Sequence, residues 1–530
     1  MKKFCFVFSV LLFSASAFAQ HYFLKTYGGA GAYSDFAAII KTADGGFAAT
    51  GYTELNGAKG EVLLVKLDAT GNIQWSKTYG TDSVDAGAAL QQMPDGGFAI
   101  AGYTYGSPND VAYDDGLLIR TNANGNLLWS KAFGGNDYDE FAALTLQDSM
   151  LVASGNTSSF GTGLEAGLIT RTDASGNLDW AVAASQNLFQ AYQAVIKTSD
   201  GNYLAAGQTL KSGSLSFDPF IVNYNNDGSV LWSKRFGITG GQVIYAIAEA
   251  KDGGYVFTGT SPASVANSSP EILIAKIAHD GTFEWAKTFG SPFYDRAQSI
   301  VINSDSSITV AGHTRIDTAT NRDVVSAISV TGSGVFKWSK ILADTTAGSH
   351  VTAMCSGAAN SFAMAGYTYV GQTYGAGFVR YTNMDASTPS CNQYNVSFTQ
   401  SSLTATDSVG VNEASGGTMN NIVLNQANVN LTIDTVCDSL VIISAVEKIE
   451  KNNSMMLFPN PSTTQLNIVF NDFAVVQQVN IFDVAGKILF STPKINSSLL
   501  TVDVRNFAPG IYLVRTETEN GWLTKKFLKE

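Results

Sequence analysis

Short apolar runs of strand length, separated by Gly, Asp and Asn, fill the chain from Tyr22 to Asp385. Gly116-Leu117-Leu118-Ile119-Arg120 is typical. It is too short for a helix, apolar enough to be buried, and bounded by turn residues, a pattern that predicts β-strands. Many short strands joined by glycine turns predict an all-β chain.

The runs recur with a period of about fifty residues, the signature of a repeat architecture. Trp75-Ser76-Lys77-Thr78-Tyr79-Gly80, Trp129-Ser130-Lys131-Ala132-Phe133-Gly134, Trp232-Ser233-Lys234-Arg235-Phe236-Gly237 and Trp285-Ala286-Lys287-Thr288-Phe289-Gly290 are near copies. Trp180 and Trp338 mark weaker ones, and Phe23-Leu24-Lys25-Thr26-Tyr27-Gly28 stands one period before the first. Most units carry two hairpin signals. One is Asp-Gly at 44–45, 95–96, 200–201 and 252–253; the other is Gly-Asn or Asp-Gly just before each Trp, as at 71–72, 125–126 and 280–281. Such pairs supply the positive φ of two-residue hairpins.

Four strands per unit make one propeller blade. The last unit, from about His350 to Asp385, shows three strands and no Trp strand, while the orphan strand from Tyr22 to Tyr27 is of the missing type. The expectation is a seven-bladed β-propeller over residues 20–386, its last blade completed by the N-terminal strand. Closure removes the two edges that the alternative, an open solenoid, would leave. The unit resembles the Gly/Trp-rich (delta-60-like) propeller repeats of bacterial surface proteins over about residues 22–385, and that resemblance specifies fold rather than activity.

Beyond the repeats the pattern changes. Residues 387–445 are rich in Ser, Thr, Asn and Val, and are read as a small β module or a cap on the propeller. Residues 446–455 are polar and charged, and read as a linker. Residues 456–530 contain Leu457-Phe458-Pro459-Asn460-Pro461-Ser462, then Val479-Asn480-Ile481-Phe482-Asp483-Val484-Ala485-Gly486-Lys487, then Ala508-Pro509-Gly510-Ile511-Tyr512-Leu513-Val514, and end with Lys525, Lys526 and Lys529. This segment resembles the type A sorting domain of type IX secretion cargo. The resemblance implies a small β-sandwich recognised by the secretion machinery at the outer membrane, and a secreted or surface-attached product. An ordinary Ig-like module is the alternative reading.

The first nineteen residues suit export as well. Lys2 and Lys3, the apolar run from Phe4 to Phe13, and Ala17-Phe18-Ala19 read as a signal peptide cleaved before Gln20, rather than an uncleaved anchor. No other stretch is long and apolar enough for a membrane helix. With 44 acidic against 32 basic residues and no basic run in the body, nucleic acid is not an expected partner. Export permits a disulfide, and Cys391 with Cys437 is the preferred pair, leaving Cys355 as a core thiol.

Catalytic signatures are missing from the sequence. His21, His279, His313 and His350 show no metal-binding spacing, and there is no Cys-x-x-Cys or Gly-x-Ser-x-Gly. No catalytic residue, metal or cofactor is therefore expected. His313 falls where sister units carry Tyr52, Tyr103 and Tyr367, and reads as a strand-end packing residue. Asp35, Asp85, Asp139 and Asp295 recur after the aromatic-Gly corner, suited to accepting loop amides, with calcium binding or a catalytic role as the alternative. Thr42-Ala43-Asp44-Gly45-Gly46-Phe47 is similar to the Asp-box of sialidases, itself a structural turn, but the Arg residues look scattered. One Trp per unit in a fixed register reads as packing between blades rather than sugar stacking. The departures from the repeat, in the loops Gly106–Asp115, Ser261–Pro270 and Asp317–Arg322, are better binding candidates. A binding scaffold for a polysaccharide or protein partner is the leading function, against a glycosidase-like hydrolase with a site in the channel or a structural surface component.

Overall fold

Trp, Lys and Tyr at alternate positions of a strand point to one side, and in the computed structural model that side is the next repeat. A β-carbon on Gly125 would lie 2.6 Å from the Trp75 ring. Lys77 Nζ donates to Asn126 Oδ1 at 2.7 Å and Tyr79 Oη to the Gly125 carbonyl at 2.6 Å. The same contact recurs between Trp129 and Gly176, Trp180 and Gly228, Trp232 and Gly281, and Trp285 and Gly334. The repeated motif is therefore the clamp that joins one unit to its successor.

The structure describes residues 18–383 and 455–530, apart from breaks of one to six residues in connecting loops. Between 394 and 443 it describes the backbone of seven strands. The described residues are all-β and fall into two compact units, His21–Val441 and one containing Ile442–Glu530.

In the first unit, consecutive antiparallel strands form sheets consistent with propeller-like blades. Sheet 1 takes Ser34–Lys41, Phe47–Thr53, Glu61–Leu67 and Ile73–Gly80 in order, and five more sheets follow the same plan to Ile341. Sheet 7 takes Gly348–Ser356, Ser361–Val370 and Thr373–Asn383, and its fourth strand is Phe18–Gly28 from the start of the chain, paired with Phe23 opposite Tyr381. Phe23 stands in place of Trp there: a β-carbon on Gly71 of sheet 1 would lie 2.4 Å from its ring. Lys25 and Tyr27 reach Asn72 and the Gly71 carbonyl at 3.0 and 2.8 Å. The first strand of each sheet packs on that of the next, and sheet 7 packs back on sheet 1, so the array closes.

Residues 387–445 form no separate module among the described residues. Their strands add a fifth, outer strand to each sheet in turn: Tyr394–Asn395 to sheet 6, Thr399–Leu403 to sheet 5, Thr406–Ser408 to sheet 4, Asn412–Ser415 to sheet 3, Thr418–Asn421 to sheet 2, Asn425–Asn428 to sheet 1 and Thr432–Ile443 to sheet 7. The chain thus runs round the array a second time in the opposite direction. The physical reason is the outer strand of each unit, which otherwise presents a row of unpaired amides and carbonyls. The proposed Cys391–Cys437 pair, the linker 446–454 and residues 1–17 lie outside the described residues or their side chains.

Two local features depart from the expected turns. The Asp-Gly hairpins have three-residue loops: Gly45 N donates to the Thr42 carbonyl, Thr42 N to that of Gly46, and only Gly45 takes positive φ, at 87°. This is a type I turn closed by a left-handed residue. The Asp secures it, Asp44 pairing with Lys66 at 2.8 Å and Asp95 with Arg120 at 2.6 Å. Each first strand also bulges opposite a glycine of the second, as at Phe36/Ala38 opposite Gly51 and Ala297/Ser299 opposite Gly312. A β-carbon on Gly312 would meet the Arg296 carbonyl at 1.8 Å, so only glycine admits the approach.

The second unit has a three-stranded sheet (Met455–Phe458, Gln465–Phe470, Leu499–Asp503) and a four-stranded one (Val476–Asp483, Ile488–Ile495, Gly510–Thr518, Gly521–Lys529). Leu466, Ile468, Val479, Ile481, Tyr512 and Phe527, drawn from both sheets, share its core. Among the described residues no helix is long and apolar enough to cross a membrane.

Candidate functional site

The bulge fixes which residues stand at one end of the array. Opposite pairs there are Asp35 and Tyr52, Ala86 and Tyr103, Glu140 and Asn156, Ala191 and Gln208, Val243 and Thr260, Arg296 and His313, and His350 and Tyr367. These are the positions where the repeat breaks its own rule. At the same end, Gly106–Asp115, Ser261–Pro270 and Asp317–Arg322 join second to third strands, although 107–112, 263–268 and 318–321 lie outside the described residues.

Sheets 6 and 7 bring a cationic and aromatic group together. The His313 and His350 rings stack with centroids 4.0 Å apart, Tyr294 also stacks with His313 at 5.9 Å, and Tyr367 lies 5.0 Å from His350. Arg315 lies over Tyr294 at 5.6 Å, and Arg296 over Tyr245 at 4.0 Å. Asp323 joins them: Arg315 Nε donates to its Oδ1 at 2.8 Å, and His350 Nε2 lies 3.2 Å from its Oδ2. Burial alone would raise the Asp323 carboxyl, but the His350 and Arg315 hydrogen bonds hold it down to about 2. Burial, and then the neighbouring His350, push His313 down to about 3, so its imidazole is neutral at ordinary pH. His313 is thus packed at the strand end between other rings, and two Arg that look scattered in the sequence, Arg296 and Arg315, stand near it.

Sheets 2 and 3 carry an acidic group at the same end. Asp114 opens the third strand of sheet 2 at the position that Asp323 holds in sheet 6, and Glu165 immediately precedes the third strand of sheet 3. Burial and then the charge of Glu140 push Glu165 up to about 7; burial and then Asp114 raise Glu140. Asp35, half-buried and with its carboxyl raised by desolvation, accepts from Tyr33 Oη at 2.6 Å and the Tyr52 amide at 3.0 Å.

The repeated aspartates are a separate set, and Asp35 is not one of them. Asp85, Asp139 and Asp295 pair with Thr104, Thr157 and Thr314, whereas Asp35 faces Tyr52, and Ser34 takes their register opposite Thr53. Asp85 accepts the Thr81 amide at 2.6 Å, Asp139 that of Gly135 at 2.9 Å, and Asp295 that of Ser291 at 2.6 Å, tying each corner between sheets. All three are fully buried. Burial raises each carboxyl, with Glu61 adding to the effect at Asp85 and Glu271 at Asp295, which reaches about 6.

A pH dependence follows. A carboxyl with its folded pKa above its unfolded value binds more protons folded than unfolded, so its contribution to stability falls as pH rises through that window. Asp44 and Asp305, held at about 2, act in the opposite sense only below about pH 4, and His313, held at about 3, acts in the opposite sense up to about pH 6.5, where the raised Asp295 and Glu165 together outweigh it. The melting temperature is therefore expected to be higher near pH 5 than near pH 8. Asp295→Asn is expected to raise stability at pH 8 by on the order of 1–3 kcal/mol and to flatten the profile. Thermal scans across pH check both, and a wild-type profile rising from pH 5 to 8 contradicts the assignment.

Cys355 is half-buried against the core of sheets 1 and 7, and burial pushes its thiol up to about 12, which removes it as a nucleophile at neutral pH. A depression lined by Ser199, Glu249, Lys251 and Ile302 lies at the other end, among the first hairpin turns, away from these groups.

Residues 456–530 match the family described as secretion system C-terminal sorting domain. That part of the chain is a sorting tail, and the protein is exported to the cell surface or beyond it. No curated protein matches the chain. Among solved structures, a protein of unknown function from Dyadobacter fermentans is 10% identical, covering 68% of this chain and 97% of its own, with TM-score 0.40. PorZ of Porphyromonas gingivalis, described as an essential surface component of the type-IX secretion system, is 8% identical over 96% of this chain and 100% of its own, with TM-score 0.25. Sqt1 from Chaetomium thermophilum is 10% identical over 66% of this chain and 85% of its own, with TM-score 0.37. At these scores none of the three carries a functional argument.

Proposed function

We propose that this is cargo of the type IX secretion machinery whose first unit is a seven-bladed, delta-60-like β-propeller acting as a binding scaffold, with an export signal at 1–19 and a β-sandwich tail. The ligand is a polysaccharide or a protein surface, held at the end where the repeat is broken. One observation carries the reading: Tyr245, Arg296 and Arg315, which depart from the repeat, gather with Tyr294 beside the variable loops. Aromatic faces flanked by guanidinium groups suit sugar rings and carboxylates. Purified full-length protein is expected to bind a subset of a surface-polysaccharide panel saturably, and Arg296→Ala to weaken that binding by about tenfold, the loss of one charged contact. Saturable binding that Arg296→Ala leaves unchanged contradicts the assigned site.

The acidic group favours a second reading, a glycosidase-like hydrolase. A carboxyl raised to about 7 beside a second carboxyl is the pairing glycoside hydrolysis uses, and Glu165 with Glu140 or Asp114 provides it. Release of reducing ends from a bound polysaccharide, abolished by Glu165→Gln, would establish this reading; binding without turnover supports the scaffold.

A further inference from the structure

We infer that His313, Asp323 and His350 form a binding site for a divalent transition-metal ion of the zinc class. Their ligand atoms all lie within 4.8 Å of one another. Zinc bonds of about 2.0–2.2 Å set neighbouring ligand atoms about 3.3–3.5 Å apart in a tetrahedral site, so small side-chain rotations close the gap. Two imidazoles and one carboxylate are a borderline set that suits zinc, not the all-oxygen set of calcium or magnesium.

A second, independent observation concerns His313. It is 3% exposed, and its Nδ1 has no hydrogen-bond partner. A buried ring nitrogen without a partner is costly unless something occupies its lone pair. Its partners are also held as metal ligands usually are. Tyr367 Oη lies 3.1 Å from His350 Nδ1, which leaves His350 Nε2 toward Asp323. Arg315 anchors Asp323 chiefly through Oδ1, at 2.8 Å, with only a long 3.4 Å contact from its Nη2 to Oδ2, the oxygen that would face the ion. Three protein ligands leave one position for water or a ligand donor.

The repeat shows that packing does not require these side chains. The register of His313 holds Tyr52, Asn156, Gln208 and Thr260 in other sheets, and that of His350 holds Asp35, Ala86, Ala191 and Val243. The stacked imidazoles are therefore particular to sheets 6 and 7. Arg315 and Arg296 stand close by, and their charge keeps affinity in the micromolar range rather than that of a structural zinc.

The test uses the full chain, stripped with chelator and titrated with zinc chloride by calorimetry, with calcium and magnesium chloride as comparators. One zinc per chain is expected, with Kd on the order of 1–10 µM, and no comparable heat from the other two. Cobalt(II) is expected to give the visible absorption of a low-symmetry four-coordinate site. His313→Gln and His350→Ala each place a residue type that sister sheets already carry, so both are expected to fold, and each is expected to weaken zinc binding at least about tenfold. A melting scan without metal confirms folding, and Asp323→Asn serves as a third variant if either fails it. Absence of stoichiometric zinc binding, or binding that the folded variants leave unchanged, overturns the assignment.

Discussion

Removal of residues 456–530 is expected to leave the protein in the periplasm, with almost none in the medium or on the cell surface. The tail has its own core, built from Leu466, Ile468, Ile481, Tyr512 and Phe527. The strands that complete the first unit end at Ile443, before it begins. The cut therefore removes the sorting element without taking a strand from the seven sheets, so failure to leave the cell would reflect sorting and not misfolding. Immunoblots of periplasm, outer surface and medium read the outcome, with melting of the truncated protein as the folding control. Normal appearance outside the cell would refute the role of the tail.

In-frame deletion of residues 387–445 is expected to be more damaging to the fold. It strips the outer strand from all seven sheets at once and bares seven edges, among them Ile73–Gly80 and Leu127–Gly134. Edges of that length with free amides and carbonyls pair with other chains. The shortened protein is expected to run as aggregate on size exclusion, with the monomer reduced to a minor fraction. A monomer with unchanged melting would mean that the encircling strands are decoration.

Much of the fold is legible in the sequence because one physical task is repeated. Trp, Lys and Tyr at alternate positions, and Gly in the next turn, are one contact written many times. The Phe23-to-Gly28 copy shows where the first strand belongs, because Phe23 meets Gly71 as Trp75 meets Gly125. The encircling segment is not legible. Strands such as Thr406–Ser408 and Asn425–Asn428 are too short and polar to show alternation, and they owe their extended state to the edges they meet.

The candidate site was visible only in outline. His313 stands out as a departure from Tyr, but its partner His350 lies in the next sheet, and Asp323 follows a variable stretch, 317–322, that carries no repeat signal. Register and bulge together bring them near each other, and neither shows as periodicity. Asp35 shares the sequence pattern of the repeated aspartates but not their register, for a related reason. It follows Gly28 by seven residues, whereas Asp85 follows Gly80 by five, so the longer corner moves it one register along.

The reversed second circuit has a consequence for timing. In sheet 7 the strand Phe18–Gly28 lies between Thr373–Asn383 and Thr432–Ile443, so the first strand made gains its neighbours only when nearly the whole first unit has emerged. Contacts so distant along the chain form late and slowly. Completion of the array thus comes just before arrival of the sorting tail, since the last strand ends at Ile443 and the tail begins at residue 456. A chain cut short by interrupted synthesis or proteolysis carries both unfinished edges and no tag, so delivery outside the cell selects molecules that had the means to close.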